Sequence, residues 1–339
     1  MKMKLKSLIF TLLFTGISAS TVIAIEESEV PLAASSLQSS DTVPNHMNQV
    51  FGYDINQYKS TIDVPLWLSQ FTCMKQWPAL DPPYIPLDFI DFAKIPNIPL
   101  YGPTECPLNR YTCSFDCHGC VSHDDVYTCR KLSQTFDDGP SPMTNKLLDN
   151  LKFKSTFFNL GINVVRFPDI YQRLNREGHL LGSHTWSHKF LPSLTNEQII
   201  AQFEWSIWAM NATGNHLPEY YRPPYGAIDD RVRSIARMFG MQAVLWDHDL
   251  NDWKLENVPA VRTKEDVYND ARSYKAENKG GIILEHDSFQ TTVDAAIEVS
   301  KILGNDQLTV AQCANSIDYI KVYPNPNQNP SQNPNRNSN

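Results

Sequence analysis

Apolar residues recur along this chain with two different periods, and the alternation between them organises its middle. Short runs of β-branched, aromatic and aliphatic residues bounded by Gly, Pro, Asp or Asn predict strands at 131–136, 156–160, 180–183, 220–222, 243–247 and 281–285. Between them, apolar positions return every three or four residues, predicting helices at 143–152, 168–177, 196–211, 229–239, 265–277 and 293–303. The helix beginning at Asn196 has Thr195 as its N-cap, with Glu197 and Glu204 assigned to polar faces. Strand–helix–strand alternation builds a parallel sheet, open or closed into a barrel. In either form, functional residues gather at the C-terminal ends of the strands.

The flanks follow other rules. Lys2, Lys4 and Lys6 precede an apolar run ending in Val22-Ile23-Ala24, the order of a secretory signal cleaved after Ala24. Thr, Gly and Ser inside the run make it a poor membrane anchor, and the polar C-terminus lacks a glycolipid-anchor signal. Residues 25–65 lack periodicity and read as a flexible leader. Residues 66–130 are rich in Pro, Cys and aromatics, as in Asp81-Pro82-Pro83-Tyr84-Ile85-Pro86, and predict a loop-built extension of the domain at 131–315. The Asn/Pro/Gln tail at 324–339 has nothing to bury and predicts disorder. Asn211-Ala212-Thr213 is a usable glycosylation sequon.

Composition narrows the class. With 42% hydrophobic and 19% charged residues, the 339-residue chain reads as a globular enzyme rather than a disordered protein. A net charge of -8 without a basic stripe argues against nucleic acid as a partner. A secreted chain makes disulfides the better reading of the seven cysteines, although Cys117 and Cys120 with His118 and His123 could form a zinc knuckle. Spacing does not settle the pairing. The expected arrangement is two bridges within 106–120, Cys129 with Cys313, and Cys73 left over.

The strand ends hold the chemistry. The first runs into Thr135-Phe136-Asp137-Asp138-Gly139-Pro140, and the third into His184-Thr185-Trp186-Ser187-His188. Paired aspartates before Gly-Pro are commonly turn formers. Two histidines at i, i+4 on a helical turn can share a metal, and an added aspartate makes a two-His, one-carboxylate set with open positions.

These segments, followed in order by Arg222-Pro223-Pro224-Tyr225-Gly226, Asp249-Leu250-Asn251-Asp252-Trp253 and Ile283-Leu284-Glu285-His286-Asp287, resemble the signature motifs of the polysaccharide deacetylases, carbohydrate esterase family four. The Pro/Cys-rich flank resembles that of yeast spore-wall chitin deacetylases. The resemblance implies a distorted, incomplete (β/α) barrel of parallel strands. It implies Asp138, His184 and His188 as ligands of a divalent metal, zinc with cobalt as the alternative. It implies Asp137 as general base, oriented by Arg222, and His286 as general acid, tuned by Asp252. The Tyr225 backbone would hold the oxyanion, and Leu284 with Trp253 the acetyl methyl. The implied substrate is chitin or N-acetylglucosamine oligomers, acted on by a secreted monomer of the cell or spore wall. Acetylated xylan, peptidoglycan and a non-catalytic glycan-binding role are the alternatives. The absence of H-E-x-x-H argues against a metalloprotease.

Overall fold

The computed structural model describes residues 51–54, 59–107, 112–257 and 259–324, all within one unit, Met47–Asn339. The signal segment, much of the leader and almost all of the tail lie outside the described residues. The strands are β1 (Leu132–Asp137), β2 (Thr156–Asn159), β3 (Leu180–Ser183), β4 (His216–Pro218), β5 (Tyr220–Tyr221), β6 (Gln242–Ala243), β7 (His248–Asp249), β8 (Gly281–His286) and β9 (Tyr319–Val322). A seven-stranded sheet has the order β6-β5-β3-β2-β1-β8-β7, and every pairing in it is parallel. Its end strands β6 and β7 do not pair with each other, so the sheet curls into an incomplete barrel. β4 and β9 form a separate antiparallel pair.

The helices are α1 (Leu66–Thr72), α2 (Phe115–His118), α3 (Thr144–Asn150), α4 (Gly161–Arg166), α5 (Pro168–Arg176), α6 (Asn196–Gly214), α7 (Asp230–Met238), α8 (Lys264–Glu277), α9 (Gln290–Leu303) and α10 (Val310–Ala314). Central strands are covered on both faces: β1 is buried from Ser133 to Asp137, and β2 and β3 throughout. This is why they read as apolar runs rather than as alternating ones. The run at 243–247 does not form one strand. β6 ends at Ala243, Val244 bridges to Val126, and the chain pairs again only at β7.

Thr195 caps α6 through a capping box with Gln198, and Asn215 closes the helix in the left-handed conformation. Glu204 is not on a polar face. It is fully buried, because α6 is covered on its outer side by the extension as well as by the sheet. Ile85 N donates to Glu204 Oε1 at 2.8 Å, Trp205 Nε1 to Pro83 O at 2.8 Å, and Trp186 Nε1 to Ala79 O at 2.7 Å. The extension is therefore a second covering layer with little regular structure of its own. Its disulfides are Cys106–Cys117 and Cys113–Cys120, while Cys129–Cys313 ties the start of the domain to its end; Cys73 is exposed and unbridged. Asn211 is half-buried in the last turn of α6. No helix among the described residues is long and apolar enough to cross a membrane.

Candidate metal and catalytic centre

Parallel pairing delivers the ends of β1, β3, β5 and β8 to one edge, and the residues that follow them converge there. Asp137 and Asp138 are adjacent, so on a regular strand their side chains would point to opposite faces. Asp138 instead has φ 75, which turns its carboxylate back toward the side occupied by Asp137. Thr185, His188 and Tyr225 also have positive φ (68, 60 and 62). Four non-glycine residues in a costly backbone region around one point mark a site whose geometry the surrounding fold enforces. The segment from His184 to His188 is a turn, not a helical turn. Its left-handed residues, rather than an α-helical face, bring the two imidazole centroids to 5.0 Å.

Asp138, His184 and His188 each offer one ligand atom, and these atoms lie within 4.8 Å of one another. Asp138 Oδ1 is 3.4 Å from His184 Nε2 and 3.3 Å from His188 Nε2. His184 Nδ1 lies 2.8 Å from the carbonyl of Arg222, which can only accept, so Nδ1 carries the proton and Nε2 presents a lone pair. Burial pushes the His184 pKa down to about 3, which keeps the ring neutral. The neutral imidazole thus turns an acceptor toward another acceptor, and Asp138 Oδ1 is buried with no hydrogen-bond partner. Burial also pushes the Asp138 carboxyl up to about 8, against the opposing charge of His286 and with reinforcement from Asp137. Converging acceptors and a carboxylate short of positive charge fit a divalent cation.

Asp137 has a different environment. Its Oδ1 accepts from Arg222 Nη1 at 2.8 Å, and both side chains are buried. The same Nη1 lies 2.8 Å from Thr135 Oγ1, whose own proton goes to Ile283 O at 2.6 Å. The Arg222 guanidinium lies over the Phe158 ring at 4.3 Å. Burial raises the Asp137 pKa, while Arg222 and then His286 pull it down. Thr135 was not singled out in the sequence. The available signal was its i, i+2 relation to Asp137, which places both on one face of β1.

Across the site, His286 Nδ1 lies 2.7 Å from Asp252 Oδ1, and His286 N donates to Asp252 Oδ2 at 2.9 Å. Burial pushes the His286 pKa down, but the charge and hydrogen bond of Asp252, helped by Asp138 and Asp137, raise it to about 10. Leu284 is buried on β8, while Trp253 and Tyr225 are each 46% exposed. The Tyr225 ring lies 4.5 Å from that of His188.

A parallel half-barrel with a buried Asp-His-His cluster, a carboxylate on Arg222 and a histidine on Asp252 at its strand ends defines a class. The polysaccharide deacetylase model matches residues 125–244, and the chain belongs to the polysaccharide deacetylase family. It is 61% identical over 260 residues to chitin deacetylase 2 of Saccharomyces cerevisiae, an alignment covering 76% of this chain and 83% of that protein. Chitin deacetylase 1 of the same yeast is 55% identical over 260 residues, covering 76% and 86%. The chitin deacetylase structure from Colletotrichum lindemuthianum superposes with a TM-score of 0.53 at 25% identity, covering 60% of this chain and 98% of that one. A peptidoglycan N-acetylglucosamine deacetylase superposes with a TM-score of 0.51 at 27% identity, covering 58% and 95%.

Proposed function

We propose that the chain is a chitin deacetylase, hydrolysing the N-acetyl groups of N-acetylglucosamine units to give chitosan and acetate. The observation that carries this reading is the meeting at one buried point of a three-ligand set, a carboxylate held by Arg222 and a histidine held by Asp252. Asp138, His184 and His188 would hold a divalent cation, zinc by preference and cobalt as a substitute. When bound, such an ion lowers the pKa of water and polarises a carbonyl.

The chain's own residues divide the remaining work. Asp137 accepts the proton of the attacking water, and Arg222 fixes the direction of its lone pair. The backbone N–H of Tyr225 donates to the oxygen that gains charge as the acetamide carbon becomes tetrahedral. His286, kept charged by Asp252, delivers a proton to the leaving nitrogen, so the products separate as amine and acetate. Leu284 and Trp253 enclose the acetyl methyl.

The rest of the chain fits a wall enzyme. Residues 1–24 act as a signal peptide and 25–65 as a leader. Residues 66–130 form the stapled extension of a catalytic domain at 131–315, followed by the tail at 324–339. The secreted protein, glycosylated at Asn211, works as a monomer on cell-wall or spore-wall chitin. The test is acetate release from chitin oligomers, acetylated xylan and peptidoglycan fragments, measured side by side with and without chelator. Preference for the chitin oligomers, lost on chelation and restored by zinc or cobalt, is expected. Preference for xylan or peptidoglycan would refute the substrate, and full activity in verified metal-free protein would refute the site.

A further inference from the structure

The turn from His184 to His188 belongs to no helix or strand, and Thr185 and His188 hold positive φ (68 and 60). Backbone in that region is costly, so the surroundings must enforce it. The catalytic domain holds the backbone of the turn. His184 N donates to Asn159 O at 2.9 Å, Gly161 N to Thr185 O at 2.9 Å, and Ile162 N to Trp186 O at 3.0 Å. Ser187 N donates to Gln202 Oε1 at 3.0 Å.

The side chains in the middle of the turn go to the extension instead. Trp186 Nε1 donates to Ala79 O at 2.7 Å, and Ser187 Oγ donates to Leu80 O at 2.5 Å. Lys189 pairs with Asp81 at 2.8 Å, and the Trp77 ring stacks on Trp186 with centroids 6.2 Å apart and 22° between planes. Trp186 and Ser187 are fully buried. The accepting segment is stiff: Pro78, Pro82, Pro83 and Pro86 fix their own φ and restrict the residue before each. It is also anchored on either side. Trp77 Nε1 donates to Ile62 O at 3.0 Å, while Trp205 Nε1 donates to Pro83 O and Ile85 N to Glu204 Oε1, both at 2.8 Å. Covering apolar surface asks for no such match between two successive carbonyls and two successive side-chain donors.

We propose that Trp77–Asp81 is a positioning strut. It fixes the His184–His188 turn in the shape that brings both imidazoles beside Asp138, and so sets how tightly the chain holds a divalent cation. This rests on the ligand assignment made under the proposed function. A turn free to relax toward ordinary φ would have to be strained again at each binding event, which lowers affinity; a turn held in advance does not. Groups that orient ligands without touching the ion commonly govern affinity by tenfold or more. The extension is then part of the metal centre's support, although it supplies no ligand.

The test uses the full chain with its disulfides intact. Zinc affinity, by competition with a chelating indicator, is compared for wild type, Trp77→Leu, Trp186→Phe, Ser187→Ala and the control Phe71→Ala, which removes a different extension ring, one packed on Trp208. Trp186→Phe deletes the indole donor and Ser187→Ala the hydroxyl, and each should weaken zinc binding about tenfold, as should Trp77→Leu. Phe71→Ala should bind zinc as wild type does, even where its Tm falls. In chelated protein, the His184 and Ser187 amides should exchange roughly tenfold faster in Trp77→Leu than in wild type or Phe71→Ala. Unchanged zinc affinity in all three strut variants, or an equal loss in Phe71→Ala, would overturn the strut and leave the ligand assignment intact. A wild type that binds no zinc removes the ligand assignment, and amide exchange then decides the strut alone: faster exchange confined to Trp77→Leu upholds it, and equal exchange overturns it.

Discussion

His184 follows β3 and His286 ends β8 in one sheet, yet they are opposite kinds of histidine. His184 gives its Nδ1 proton to a backbone carbonyl, and burial holds its pKa down to about 3. His286 is also buried, but its Nδ1 faces the Asp252 carboxylate, and its pKa is raised to about 10. Burial pushes both rings toward neutrality, so the partner decides the outcome. A carbonyl leaves a neutral ring with a lone pair suited to a cation, and a carboxylate leaves a charged ring suited to give a proton. Asp138 and Asp137 divide in the same way, one facing histidine lone pairs and the other a guanidinium.

The largest effect should come from the carboxylate pair. Asp137→Asn removes the carboxylate proposed as proton acceptor and should cost on the order of a hundredfold or more in acetate release while metal content stays near wild type. Asp138→Asn should lose the metal as well, since an amide is a poorer ligand for a hard cation. Equal metal loss in both would mean that the two carboxylates do the same work.

A smaller effect should follow from making the two histidines alike. Asp252→Asn removes the charge that raises the His286 pKa. A general acid works while protonated, so activity is lost as pH rises through its pKa. The variant should therefore move the alkaline limb of the kcat profile to lower pH and reduce kcat by about tenfold. An alkaline limb that stays in place would assign it to another group.

Legibility in the sequence followed burial and turn chemistry. β1, β3 and β8 were plain because they are covered on both faces and end in chemically distinctive residues. β4 and β9 pair at His216–Pro218 and Tyr319–Val322, too short and too far apart in sequence for a periodic pattern. The convergence of His184 and His188 came from left-handed residues that spacing does not encode, although the spacing led to the right pair to place together. Glu204 was assigned to a polar face because a helix pattern does not show that an irregular segment 119 residues earlier covers the other side.

Stability tests reach the layer outside the site. Cys129–Cys313 closes a separation of 184 residues, so replacing both with serine should lower stability by about 2–5 kcal/mol, read by denaturant unfolding under oxidising conditions. Glu204 should have a smaller effect. Burial raises its pKa to about 8, so it favours the folded state below its unfolded pKa and loses that contribution as pH rises toward 8. Glu204→Gln keeps an acceptor for Ile85 without the charge. It should raise the Tm at pH 8, relative to pH 5, by roughly 2–4 °C for each kcal/mol recovered. A variant whose Tm tracks wild type across that range would show that Glu204 does not titrate there.

The contrast between the two histidines is tested most directly by bound-metal stoichiometry in purified His184→Ala and His286→Ala, measured in parallel after identical zinc loading and desalting. Both should lose nearly all acetate release. His184→Ala should retain little zinc, while His286→Ala should hold as much as wild type. Equal zinc content in the two variants, whether both full or both empty, would contradict the assignment of one histidine to the cation and the other to the proton.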